Sequence, residues 1–181
     1  MNDILPLSAG IRQKRGLVLL LTQDKAHKRK LDLIAGLILQ GPLFVVSGNE
    51  WLPSFSLPHI IRRRTTDVKA ILNHLYGVRA STCYRLYDSL ANLPSNGEPV
   101  LVMDFLHTFY DDDIPLRTRL FRLRECCREL KRLAFYRPVI VMTQEKEGGE
   151  YEKFMPALQP IADKMFTLEP EMEHIDQPVL F

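Results

Sequence analysis

The first group in this chain with chemistry to offer is a carboxylate at the end of an apolar run. Val100–Asp104 reads VLVMD. An aspartate leaving the C-terminal edge of a buried strand can help hold Mg²⁺ beside a phosphate, the Walker B pattern. The same residue type also caps ordinary turns. The remaining candidates offer less. His27, His59, His74, His107 and His174 are scattered without metal-ligand spacing, so no metal site is expected. Ser47-Gly48 lacks the G-x-S-x-G surround of a nucleophile elbow. Asp111, Asp112 and Asp113 could hold a cation. They equally suit the N-terminus of a helix starting at Pro115, where negative charge is favourable by about 0.3–1 kcal/mol. Cys83, Cys126 and Cys127 form neither a disulfide framework nor a CxxC pair, which points to a reducing compartment. Cys126 and Cys127 are neighbours within a helical stretch, where Cys127 is expected to pack and Cys126 to flank.

Basic side chains form three groups. Lys25, Lys28, Arg29 and Lys30 follow the first apolar run, and Arg62, Arg63 and Arg64 are consecutive. Arg117, Arg124, Arg128 and Lys131 fall on one edge of a long amphipathic segment. Such groups suit nucleic-acid phosphates, with weak, sequence-independent binding, or a solvated surface. The net charge of +2 hides a division. Residues 1–143 carry 21 Lys and Arg against 13 Asp and Glu; residues 144–181 carry 3 against 9. The body is therefore basic and the C-terminal part acidic.

The elements that must position these groups follow from periodicity. At 181 residues and 46% hydrophobic, the chain suits one domain with a substantial core. Five apolar runs read as strands, near 16–22, 42–47, 99–104, 138–142 and 164–168. They are continuous rather than alternating, which predicts a parallel sheet covered on both faces. Between them lie helical patterns over Lys28–Gln40, Asp67–Tyr76 with Gly77 as its stop, Cys83–Leu93, Pro115–Phe135 and Met155–Ala162. Strand–helix alternation predicts a doubly wound α/β fold with a mainly parallel sheet. Residues 1–169 form the expected core, and 170–181 an exposed acidic tail. The run Leu17–Leu21 is too short for a membrane span or a signal core, so a cytoplasmic protein is expected, nuclear if eukaryotic, with no membrane contact.

The order of these motifs resembles the ATPase core of the RecA/RadA recombinase superfamily, over roughly Leu5 to Glu169. GLVLLLT, a loop and LDLIAGLILQG resemble its first strand, phosphate loop and helix. LFVVSGNEWLP resembles its second strand, with Trp51 and Pro53 at the matching aromatic and proline. VLVMD with the following long helix resembles the Walker B region, RPVIVMTQ the strand ending in a nucleotide-sensing glutamine, here Gln144, and IADKMFTLEP the final core strand. The resemblance implies a RecA-like fold, assembly with itself or with a RecA-like partner, and contact with DNA. Apolar material for that assembly would come from Leu5–Ile11, Trp51–Phe55 and Phe105–Tyr110.

The departures bear on activity. On the family's spacing, Gln23 and Lys28 stand where the phosphate loop has glycines, Arg29 at the lysine and Lys30 at the Mg²⁺-binding hydroxyl. No glycine occurs between Gly16 and Gly36, so the backbone lacks the positive φ of a phosphate nest. Gly48 occupies the position of the catalytic glutamate, with Glu50 two residues away. Asp104 and Gln144 are then remnants. The reading that follows is a non-catalytic, RecA-like accessory protein of DNA recombination or repair, a pseudo-ATPase without cofactor. The alternative is a divergent ATPase using ATP and Mg²⁺ at Lys28–Lys30, Glu50 and Asp104.

Overall fold

Four of the five apolar runs make up the middle of the sheet, and the fifth, 164–168, is an edge strand with four exposed residues. A computed structural model describes residues 8, 10–23, 26–49 and 56–169. Its strands are β1 (Gly16–Thr22), β2 (Leu43–Ser47), β3 (Leu75–Arg79), β4 (Val100–Met103), β5 (Pro138–Thr143) and β6 (Lys164–Leu168). They form one sheet in the order β3-β2-β4-β5-β1-β6, and every pairing is parallel. All four residues of β4 are buried, as is most of β5. A strand flanked by neighbours on both edges and helices on both faces has no polar face, so its sequence does not alternate. The architecture is α/β, consistent with a RecA-like fold.

Helices cover the two faces separately. On one face lie α1 (His27–Ile38), α2 (Ser56–Arg62) and α3 (Val68–Leu72). Leu33, Ile34, Leu37, Leu57 and Ile61 pack there against Leu20, Val45, Leu101 and Ile140. On the other face lie α4 (Cys83–Ala91), α5 (Leu116–Tyr136) and α6 (Met155–Leu158). Leu86, Leu123, Cys126, Leu130 and Leu158 pack there against Leu19, Val46, Val102 and Val141.

Four sequence expectations change. The helix over Asp67–Tyr76 ends early: Asp67 caps α3 by accepting from the Ala70 N–H at 3.1 Å, and the chain then enters β3. Gly77 is not a helix stop but the residue paired with Val45 of β2, where an added Cβ would overlap the Val45 carbonyl. Cys126 does not flank; both it and Cys127 are buried. The cause is that α5 packs on α4 as well as on the sheet, which widens its apolar arc. Finally, Phe105–Phe109 forms a 3-10 turn that buries Phe105, Leu106 and Phe109 in the core, so it is not loose apolar material for assembly. Lys25, Glu50, Trp51–Phe55, Leu5–Leu7 and the acidic tail lie outside the described residues. Among the described residues, no helix is long and apolar enough to cross a membrane.

Candidate functional site

Parallel sheets place ligand-handling groups at the carboxyl ends of their strands, and the candidates of the phosphate-loop, Asp104 and Gln144 regions lie there. β1 ends at Thr22, and a short turn follows, with the Ala26 N–H donating to the Gln23 carbonyl at 3.2 Å. α1 begins at His27, so Lys28, Arg29 and Lys30 occupy its first turn rather than a loop. The Lys30 N–H already donates to the Ala26 carbonyl at 3.0 Å. That turn contains no acid, against the preference of a helix N-terminus for negative charge.

Lys30 reaches across to the end of β4. Its Nζ lies 3.8 Å from Asp104 Oδ1, with both side chains largely covered. Asp104 is also the one non-glycine residue with positive φ among those described, at φ 51° and ψ 41°. This left-handed kink turns the chain from β4 into the 3-10 turn. Buried hydroxyls fix that turn to β5: Thr143 Oγ1 accepts from the Leu106 N–H at 3.0 Å, and Thr22 Oγ1 donates to the Thr143 carbonyl at 3.2 Å.

The turn also fills the space above β2. The Gly48 N–H donates to the Met103 carbonyl at 2.8 Å. A Cβ at Gly48 would lie 2.5 Å from the Asp104 carbonyl oxygen and 2.9 Å from Thr108 Cγ2. No side chain fits at the position where the resemblance sets a catalytic glutamate. Gln144 follows β5, and its carbonyl accepts from the Tyr110 hydroxyl at 3.0 Å. Between these groups opens a cleft of about 590 Å³ lined by Asn49, Ser81, Asp104, His107, Tyr110 and Gln144, among others. Lys146 lies 3.9 Å above the Tyr151 ring, at the edge of the cleft. Burial pushes the Tyr110 phenol above its ordinary value, aided by Glu145, so it stays a neutral hydroxyl at neutral pH.

These residues do not fit a Mg²⁺-nucleotide held as in a phosphate loop. No glycine opens the turn after β1, the helix starts early, and an ammonium faces the carboxylate that would hold the metal. Among the described residues no group of three or more His, Cys, Asp or Glu gathers in metal-binding proximity. The cysteines are equally unsuited to catalysis: burial pushes the Cys127 thiol up to about 12 and the Cys126 thiol higher, away from thiolate chemistry.

The basic groups separate. Arg62, Arg63 and Arg64 sit at the end of α2 on one face, where Arg64 Nη2 lies 2.9 Å from Asp32 Oδ1 of α1. Arg117, Arg124, Arg128 and Lys131 are exposed on α5, on the opposite face. The other arginines of α5 hold structure. Arg119, buried, bonds Asp112 at 3.2 Å and Glu150 at 2.5 Å. Arg122 bonds Glu125 at 2.9 Å, and its guanidinium stacks over Tyr84, Tyr87 and Phe121. Arg132 donates to the Leu90 carbonyl in the last turn of α4 and to the Leu93 carbonyl just beyond it. Just past the helix, Arg137 grips the Pro94–Glu98 turn through four carbonyls. Asp112 thus anchors Arg119 instead of capping α5, whose N-cap Pro115 receives no side-chain bond.

Sequence reasoning named Gly48 but not the close approach behind it, and it missed Thr143, Arg119, and the exposure of Phe121 and Phe135. The last two were detectable, since both share the 3–4 spacing of the basic edge. The chain matches no protein-family model and no curated protein.

Proposed function

We propose that the protein is a non-catalytic, RecA-like interaction subunit acting in DNA recombination or repair without using ATP. The carrying observation is the Lys30–Asp104 contact at 3.8 Å. An ammonium on that carboxylate supplies the positive charge that Mg²⁺ would otherwise supply, and the helical first turn of α1 takes the place of a phosphate cradle. The strand order and the apolar strand ending in Asp104 keep the frame of a nucleotide site, while Gly48 leaves no room for a catalytic glutamate. Phosphoryl transfer depends on positioned positive charge and metal, each worth orders of magnitude in rate. Their loss together predicts no ATP turnover. Steady-state phosphate release with ATP and Mg²⁺ should stay at background. Release above background that disappears in Asp104→Ala would overturn the reading in favour of a divergent ATPase.

A further inference from the structure

The outer ridge of α5 has a composition that a solvated helix face does not need. Arg117, Phe121, Arg124, Arg128, Lys131 and Phe135 follow one another at alternating spacings of four and three. At 100° per residue they fall within an arc of about 80°, and the ridge runs about 27 Å along the helix. Phe121 is 54% exposed and Phe135 72%. The ridge contains no acid. Glu125 and Glu129 lie beside it and pair with Arg122 and Arg132, and Glu125 also reaches Arg128, at 3.8 Å. Arg117, Arg124 and Lys131 have no ion-pair partner among the described residues. Arg124 and Arg128 are like charges four apart, which disfavours the isolated helix. A cleft of about 340 Å³ opens at the C-terminal end, where Arg15 joins Lys131 and Phe135. Asp163 in that cleft is engaged, accepting from the Leu17 N–H at 2.7 Å.

From this we infer that the outer ridge of α5 is a docking surface for single-stranded nucleic acid, with phosphates on Arg117, Arg124, Arg128 and Lys131 and unpaired bases stacked on Phe121 and Phe135. Cations alone would suit any polyanion. Cations alternating with exposed rings match a strand whose bases are free to stack, since every base offers a π-face and every nucleotide a phosphate. The two rings lie about 21 Å apart along the helix, which suits a site of roughly four to six nucleotides. An acidic protein segment would match the charges but add no planar group to the exposed sides of the two rings, whose other neighbours are the Arg122 guanidinium at Phe121 and the edge-on Tyr136 ring at Phe135. The inference rests on the reading of this protein as nucleic-acid-associated; phosphate release tests only the loss of ATP turnover in that reading and binding tests the ridge, so either can fail alone.

The test is fluorescence anisotropy of a labelled oligothymidylate of about twelve nucleotides with the full chain. Four phosphate contacts on a single strand predict log K falling against log salt with a slope of about −2.8. Arg124→Ser with Arg128→Ser should bring the slope to about −1.4. Phe121→Ser with Phe135→Ser should weaken binding at least about fivefold with the slope unchanged, because stacking carries no counterions. All four substitutions are on exposed side chains, so the folded state should survive, checked by the thermal transition. A blunt duplex of the same length should bind more weakly, its bases being closed to the rings. No binding at low salt, or a slope indifferent to the arginine pair, overturns the inference. So does equal affinity for the duplex or for polyglutamate with no effect of the phenylalanine pair, which would make the ridge a general polyanion or acidic-protein surface.

Discussion

Gly48 shows how a distant turn can fix the size of one residue. It follows β2 where the chain after β4 turns back across the sheet edge, and the nearest atoms to a Cβ there are the Asp104 carbonyl oxygen and Thr108 Cγ2. The first of these is backbone, fixed by the left-handed kink at Asp104 and by the Leu106–Thr143 bond. The neighbour cannot move aside cheaply. Gly48→Ala should therefore destabilise by about 1–3 kcal/mol, and Gly48→Glu by more. Urea midpoints of the two variants against the parent check this. Equal midpoints would mean that the turn after β4 yields, and that a glutamate could be accommodated at the end of β2. The sequence displayed Gly48 at the expected spacing but not the reason for it, because the turn that fills the space comes from residues more than fifty positions later. Asp104 was legible from its place after four apolar residues. Its partner Lys30 was legible only as a departure from a motif. That the two meet depends on α1 starting at His27, a boundary that no cap residue marks.

Among the elements, legibility followed burial. β1, β2, β4 and β5 are continuous apolar runs bounded by Gly or Pro, and they lie where the sequence set them. β6 was also readable, although four of its five residues are exposed at the sheet edge. β3 was not. Leu75-Tyr76-Gly77-Val78-Arg79 is an edge strand with one paired side and little burial, so its pattern merged with the helix before it. Gly77 read as a stop signal because glycine ends helices more often than it enables close strand approach. Its role in β3 gives a prediction. Gly77→Ala sets a methyl group against the Val45 backbone, and the pairing of β3 with β2 must loosen. We expect a loss of about 2–4 kcal/mol and faster amide exchange confined to β3 and the flanking Leu43–Ser47 hydrogen bonds. Unchanged exchange there would show that the strand shifts register without cost. The long helix α5 was predicted at nearly its full length, but its partition of charge was not. Seven basic residues lie within it, and only their contacts separate the three that hold Asp112, Glu125 and the end of α4 from the four that face outward.

Across the whole molecule, the doubly wound architecture determines which charges can act together. Arg62, Arg63 and Arg64 follow α2 on the face that α1 covers, while the outer ridge of α5 lies beyond the other face. A helix layer packs about 10 Å from a sheet, so the two basic groups are at least about 20 Å apart with the apolar core between them. At physiological ionic strength the screening length is about 8 Å, and charges at that separation scarcely feel each other. A strand seated along the ridge of α5 meets the second group only by wrapping an edge of the sheet. Arg64 is in addition paired with Asp32 at 2.9 Å. If the ridge of α5 holds single-stranded nucleic acid, replacing Arg62 and Arg63 together with alanine should change affinity by less than about twofold and leave the salt slope within about 0.5 of the parent. The pair of substitutions at Arg124 and Arg128 should remove about half of that slope, and the combined variant should behave as the sum of the two, since sites without shared partners add. The measurement is the same anisotropy titration across salt for the parent, each pair and the combination. A slope that falls equally for both pairs would mean that nucleic acid engages both faces, by wrapping an edge of the sheet or by bridging two copies of the chain. A slope that falls only for Arg62 and Arg63 would move the interface to the α2 face and leave the ridge of α5 as solvent-facing charge.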